Sequence, residues 1–391
     1  MIYYLNSYVN PLQEDERELT VAANSKIQYI LESISDSYDV VNLSQAKSTK
    51  GNLRAKSYQE GRVRYDYIKS PAARKGNQYI KFKWNCLLYL LKHIRNGDTL
   101  VVYHSLFWIK IIEILRKIKH FTLILELNDF YRFHYNGLES EKVKRMEDRF
   151  FDLPDAFILA NPDMLRELKD TEGKRYIINY GAYKVSEKIS SRQNDVIRVL
   201  YSGAAEKLRG AAYLAASSAS FLPEQYELHM ACYGTRQNLA DLQSQVNESN
   251  MRGEAAKIVY HGTLSMEQLT ELMSECDIAL SCHSYTDEER YKAMFSFPSK
   301  IPLNMGAGLY IVSPGIPTFI GTPFDEATFY FDDFNPESVA KSIMDAGKAI
   351  KECGSKEIPM AIIRRLDSSF KMDLKEIILS YSVQRKSTGQ A

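Results

Sequence analysis

An α/β fold with two doubly wound parallel sheets is predicted by three features of this sequence. Short apolar runs that read as strands alternate with segments of helical spacing from Met1 to Asn179. The rhythm stops at Tyr180–Asn194, which is polar and aperiodic, and resumes at Val196. At 391 residues the chain is long enough for two domains, each with its own core.

In order, Met1–Leu5 reads as a strand and Asn6–Pro11 as the polar turn after it. Glu14–Ile34 has helical spacing at Leu19, Ala22, Ala23, Ile27, Ile30 and Leu31. Tyr38–Leu43 is a second strand. Ser44–Asn77 is a polar, basic connection with room for extra strands. Helices are expected over Gln78–Ile94, Leu106–Ile118 and Glu139–Phe151, with a short one at Asp163–Leu168. Strands are expected at Thr99–Tyr103, Phe121–Leu127, Ala156–Ala160 and Tyr176–Asn179. The second half repeats the pattern. Its strands are Val196–Tyr201, Tyr226–Ala231, Ile258–His261, Ile278–Cys282 and Tyr310–Ser313. Its helices are Ala211–Phe221, Arg236–Asn247, Ser265–Glu275 with Ser265 as cap, Glu337–Ala349 and Ile358–Tyr381.

Hydrophobic content of 45% and charged content of 25% are ordinary for a globular protein. A net charge of +1 argues against a general nucleic-acid binder. The five cysteines show no CxxC pair or framework spacing, which suits a reducing compartment. Cys282-His283 has no second ligand pair at a useful spacing, so no metal site is expected. The start MIYYLNSYVN lacks the ordered regions of a secretory signal, and no run of about 18 apolar residues occurs.

Two stretches carry candidate chemistry. In Phe295–Ser313, Pro298 is expected at or near the first position of a short helix, with Ser299 or Ser296 as cap and Gly306 and Gly308 as stop. Lys300 in that first turn opposes the helix dipole, so it is either an ordinary surface lysine or placed for a phosphate or carboxylate. Ser202–Gly210 follows a strand and opens a helix, with Gly203 allowing close backbone approach and Arg209 offering a permanently charged fork. Arg209 and Lys300 both fall at strand-to-helix junctions of one sheet, the edge where open α/β sheets bind ligands, and together they suit a diphosphate.

From about Val196 to Asp345 the sequence resembles the C-terminal domain of glycosyltransferase family 4, in the manner of bacterial polysaccharide or glycan-type members. The segments VLYSG…RG, KIVYHGTLSMEQLTELMSECDIAL and FPSKIPLNMGAGLYIVS match in order and spacing. EDRFFDLPDAFILANPDMLREL followed by YIINYGAY resembles that family's approach to the interdomain linker. The resemblance implies the GT-B fold: two Rossmann-like doubly wound domains facing a central cleft. Residues 1–182 would bind the acceptor and 183–364 the nucleotide sugar, with a helix at about 365–385 packing back on the first domain. The implied reaction moves a sugar from a nucleotide diphosphate donor, UDP- or GDP-sugar being favoured, to a glycan or lipid-linked acceptor in cell-surface polysaccharide or glycoconjugate synthesis. Retention at the anomeric carbon, no metal and no cofactor beyond the donor are implied as well. The positions carried over to the donor are Gly203, Arg209, Tyr260, Gly262, Leu264, Ser296, Pro298, Ser299 and Lys300.

Three positions depart from that pattern. Phe295 and Leu303 stand where many members have glutamates, and Ala204 stands where an arginine is usual. They keep open a GT-B-shaped partner subunit without catalysis and, more remotely, a sugar-nucleotide epimerase. In the first half, Asp129 is a candidate base after a strand, with Glu126 before it and His104 at a neighbouring strand end. Asp129 could equally cap the following segment. Residues 75–120 are basic and rich in aromatics, which suits either a core with a solvated lysine face or a peripheral contact with an anionic membrane. A cytoplasmic protein is expected, and the second alternative would place it peripherally on the inner face of the cell membrane.

Overall fold

The computed structural model describes residues 1–10, 17, 21–46, 53–69, 76–135, 137–169, 171–187, 196–206, 210–252, 256–282, 295, 297–353 and 356–387. The chain divides into two compact units. The first comprises Met1–Ala182, Phe295–Ser299 and Ser368–Ala391; the second comprises Tyr183–Met294 and Lys300–Asp367.

The first unit contains β1 (Ile2–Asn6), α1 (Val21–Ser35), β2 (Val40–Ser44), β3 (Lys56–Glu60), β4 (Val63–Tyr67), α2 (Asn77–His93), β5 (Thr99–Tyr103), α3 (Ile109–Ile118), β6 (Thr122–Leu127), α4 (Gly137–Phe151), β7 (Ala156–Leu159) and β8 (Arg175–Ile178). Its eight-stranded sheet has the order β3-β4-β2-β1-β5-β6-β7-β8. All neighbours are parallel except β3 and β4, a hairpin within the long polar connection. β1, β2, β6 and β7 are buried along their whole length, as parallel strands covered on both faces must be. Two expected helices differ. Leu106–Trp108 forms a turn rather than the start of α3, because Phe107 and Trp108 fold inward edge to face at 4.8 Å. Pro162–Glu167 winds as a 3₁₀ turn. The start expected for α1 falls largely outside the described residues.

The second unit contains β9 (Ile197–Ala204), α5 (Ala211–Ser218), β10 (Tyr226–Tyr233), α6 (Arg236–Arg252), β11 (Lys257–Gly262), α7 (Met266–Glu275), β12 (Ile278–Leu280), α8 (Lys300–Gly306), β13 (Tyr310–Pro314), β14 (Thr328–Phe331) and α9 (Pro336–Cys353). Its sheet is parallel throughout, in the order β11-β10-β9-β12-β13-β14. Ser265 caps α7 in a reciprocal box, its Oγ accepting from Gln268 N at 3.2 Å while its own N–H donates to Gln268 Oε1 at 2.9 Å. β14 was not expected: Thr-Phe-Tyr-Phe is short, half-buried and without alternation. At Gly306 a Cβ would stand 2.0 Å from the Lys184 carbonyl oxygen, and Ser186 N–H donates to Gly306 O at 2.8 Å. Only glycine lets residues 184–186 lie so close to α8.

The last helix, α10 (Glu357–Ser387), begins in the second unit and from Ser368 belongs to the first. There Phe370 meets Tyr29 and Arg175 pairs with Glu376 at 3.0 Å. Among the described residues no helix is long and apolar enough to cross a membrane, and no group of three or more His, Cys, Asp or Glu is placed to hold a metal ion.

Candidate functional site

In the second unit the chain steps from β9 to β10 to β11 and then returns to place β12 on the other side of β9. That reversal makes the carboxyl ends of β9 and β12 the switch point at which open sheets bind ligands. Gly203, one residue before the end of β9, is buried there beside half-buried Ser202. Lys300, the first residue of α8, donates from Nζ to the Ser202 carbonyl at 2.7 Å and lies 5.9 Å above the Tyr233 ring. Lys300 is exposed as a whole, yet protein close to its ammonium strips part of its hydration and lowers its pKa. The neighbouring Cys232 thiol is pushed up to about 12 by burial and stays neutral. Among the described residues Lys300 forms no ion pair. It is a cation held on a carbonyl, and among the described residues that carbonyl is the hydrogen-bond partner given for its ammonium.

The β10 and β11 ends frame this point. Thr263 Oγ donates to Cys232 O at 2.9 Å, fixing the turn in which Gly262 takes φ +66°. Tyr260 is half-buried with its hydroxyl 3.5 Å from Leu239 O, Leu264 is half-buried, and Tyr233 is 57% exposed. Beneath them His229 and His261 stack, Nδ1 to Nε2 at 3.1 Å, and burial lowers the pKa of both.

The remaining donor positions divide. Arg209 and Ser296 lie outside the described residues. Pro298 and Ser299 precede α8 and belong to the first unit: α8 has seven residues and starts at Lys300, so Pro298 lies near the helix, two residues before its start, Ser299 directly precedes it, and Pro302 is in its first turn. Phe295 is only 5% exposed. It stacks on Phe133 at 5.2 Å, meets Phe130 edge-on at 5.4 Å, and its carbonyl accepts from Asn161 Nδ2. Phe295, which stands where the resembled family often has a glutamate, is here part of the first unit's core. Leu303 is half-buried on α8.

In the first unit the switch lies between β1 and β5. Glu126 is fully buried at the end of β6. It accepts from Tyr4 Oη and, at 2.8 Å, from Asn128 Nδ2. Burial raises its pKa, while Lys26 and the two donors hold it down. Lys26, from α1 and 7% exposed, donates to Asn128 Oδ1 and, at 2.7 Å, to Asn179 O. Burial lowers its pKa to about 8, against the pull of Glu126 and Asp129. Asp129 is exposed. Surrounding protein raises its pKa, while His134, Lys26 and His104 oppose the rise.

His104 is buried, its Nε2 2.8 Å from Glu147 Oε1 among the rings of Tyr131, Phe150 and Phe151. Glu147 also accepts from Arg132 Nε at 2.8 Å and from the amides of Tyr131 and Arg132 at 2.7 and 3.1 Å. Burial pushes Glu147 up, but His104 and Arg132 outweigh it and hold the carboxyl below its ordinary range. Thus Glu147, not Asp129, satisfies the free amides of the turn after β6. Of the three candidate acid–base residues, Asp129 alone meets solvent; Glu126 and His104 are held inside.

Lys26, Asn128, Arg132, Glu147 and Tyr233 escaped sequence reasoning. Lys26 left one signal, a lysine three residues after Ala23 and four before Ile30 on the buried stripe of its helix.

No protein-family profile matches the chain, and no curated protein sequence matches it. Solved structures do match along its length. Trehalose 6-phosphate synthase from Burkholderia multivorans has a TM-score of 0.64 at 10% identity, covering 100% of this chain and 98% of that one. HepE of Anabaena, in complex with UDP, has 0.60 at 12%, covering 100% and 99%. The catalytic domain of starch synthase IV from Arabidopsis thaliana, bound to ADP and acarbose, has 0.64 at 8%, covering 98% and 99%. At such identities the likeness establishes the fold: the chain has the two-domain α/β fold of the GT-B glycosyltransferases.

Proposed function

We propose that the protein is a nucleotide-sugar-dependent glycosyltransferase of the family 4 type, with its donor site at the carboxyl edge of the second sheet. The observation that carries this reading is Lys300, desolvated and anchored on Ser202 O at 2.7 Å beside Gly203, at the switch point of a parallel sheet. Such a cation, with Arg209 as the sequence resemblance implies, would stabilise a leaving diphosphate without a metal. The similar solved structures with UDP or ADP bound lend the same support. Asp129 is the candidate for proton transfer at the acceptor. The finer parts rest on the sequence: a UDP- or GDP-sugar, a glycan or lipid-linked acceptor met at a membrane, and retention. One observation favours a partner subunit without turnover, namely the burial of Phe295 where related enzymes carry a sugar-binding glutamate.

Calorimetry with UDP, GDP, ADP, CMP and dTDP tests the choice. Tight binding of one diphosphate, weakened about tenfold or more by Lys300→Ala and by Arg209→Ala, is the expected result. No binding of any nucleotide to the wild type would favour the partner subunit.

A further inference from the structure

The helices α2 and α3 each bury one stripe in the first unit. On α2 the buried residues are Phe82, Cys86, Leu87 and Leu90; on α3 they are Ile109, Ile111, Ile112 and Leu115. A surface helix with one buried stripe should be polar elsewhere. Here α2 carries a second apolar line facing out: Ile80, Trp84 and Leu88 are 54%, 55% and 57% exposed. Their i, i+4, i+8 spacing places them along one side over about 12 Å. On α3, which packs against α2, Ile114 and Ile118 repeat the spacing and are 40% and 57% exposed. Most of the aromatics in this region go to the core, as Phe82, Phe107 and Trp108 do; Trp84 does not.

Charge identifies what this face meets. Residues 76–120 hold eight Lys or Arg against Asp98 and Glu113, in a chain whose net charge is +1. Asp98 is engaged by the amino terminus at 3.1 Å. Lys81 and Lys92 are exposed on α2, and Lys110 and Lys117 on α3. A second copy of the chain would bring these lysines against their own kind. An anionic lipid surface offers them phosphates, while long lysine stems let the apolar line sink below them.

We propose that the α2–α3 face docks on an anionic phospholipid bilayer, with Ile80, Trp84 and Leu88 entering the boundary between headgroups and acyl chains and Lys81, Lys92, Lys110 and Lys117 meeting lipid phosphates. This deepens the acceptor side of the function proposed above, since a lipid-linked glycan is presented at such a surface, and it rests on that reading only there.

The full-length protein supplies its own reporter. Of its two tryptophans, Trp108 is fully buried, so a spectral change on adding vesicles reports Trp84. With phosphatidylcholine vesicles containing phosphatidylglycerol, emission is expected to shift to the blue and the protein to sediment with the lipid. Added salt should weaken both, and pure phosphatidylcholine should produce neither. The triple variant Ile80→Ser, Trp84→Ser, Leu88→Ser should sediment at least about tenfold less well, because exposed apolar area drives insertion. Nucleotide calorimetry on the same variant checks its fold and keeps the two ideas apart: loss of nucleotide binding by the wild type would sink the donor reading and leave the vesicle result standing. Undiminished lipid binding by the triple variant would overturn the proposal. So would a wild type indifferent to phosphatidylglycerol, or a wild-type dimer in the ultracentrifuge that the variant dissolves.

Discussion

At the carboxyl edge of the first sheet, side chains satisfy one another. Glu126 takes Tyr4 and Asn128, Lys26 takes Asn128 and Asn179 O, and Glu147 takes His104, Arg132 and two amides. The matching edge of the second sheet holds Gly203, Ala204, Gly262 and one lysine on a carbonyl. The first edge has therefore committed its charges to holding strand ends in place, with Asp129 left outside. Among the described residues the second holds its charge lightly, with Lys300 on a backbone carbonyl and in no ion pair. A site that must grip a multiply charged ligand needs unspent donors, and a surface that must keep a shape needs spent ones.

If the first edge is built this way, Glu147→Ala should show the largest effect. It would leave buried Arg132 with Asp148, at 2.8 Å, as its hydrogen-bonded carboxylate, and strip two amides and His104 of their partner, at a cost of about 3–5 kcal/mol. Urea unfolding measures it, and a loss below about 1 kcal/mol would mean the network is ornamental.

Lys26 comes next and shows its effect in pH dependence. Its folded pKa of about 8 lies below the ordinary 10.5, so between these values the unfolded chain binds more protons. Stability from this group therefore rises as pH rises through about 8. The wild type should gain about 2 kcal/mol relative to Lys26→Met between about pH 7 and pH 9.5, other groups cancelling in the difference. A flat difference would show that Lys26 is hydrated and that the two edges are less unlike than the geometry says.

The second edge should behave in the opposite way. Lys300→Ala should change stability by no more than about 0.5 kcal/mol, since its stem is exposed, while weakening a bound diphosphate about tenfold. Equal losses in both measurements would make Lys300 a structural residue like Lys26.

The contrast also marks how far the amino-acid order could be read. Alternation of apolar runs with helical spacing showed both sheets and the polar break between them, because burial of parallel strands leaves a local imprint. Ser265, with Gln268 three residues on, announced its cap. Lys300 was visible because it follows a proline and precedes a glycine stop at a strand-to-helix junction. The buried network was not visible, since Lys26, Glu126 and Asn179 are far apart in sequence and meet only when three strand ends are in register. Pro298 marked the neighbourhood of the helix start but not that Phe295–Ser299 folds with the first unit. That choice is made by Phe130, Phe133 and Tyr180, far away in the chain.

Asp129 gives the smallest stability effect and the sharpest use of the comparison. Its position before a turn suggested a cap, a role asparagine fills as well as aspartate, so a cap would make Asp129→Ala cost about 1 kcal/mol. Glu147 already fills that role with bonds to the Tyr131 and Arg132 amides. The neighbourhood raises the Asp129 pKa, so the ionised form is mildly disfavoured at neutral pH and its removal should leave stability unchanged or slightly higher. With an accepted donor and acceptor in hand, the same substitution should lower turnover by about 10²-fold or more if the carboxylate moves a proton, and the difference should shrink as pH falls towards the raised pKa, where the wild-type carboxylate is itself protonated. Unchanged stability with unchanged turnover would leave Asp129 a solvated surface acid, and proton transfer would then have to come from the acceptor's own surroundings.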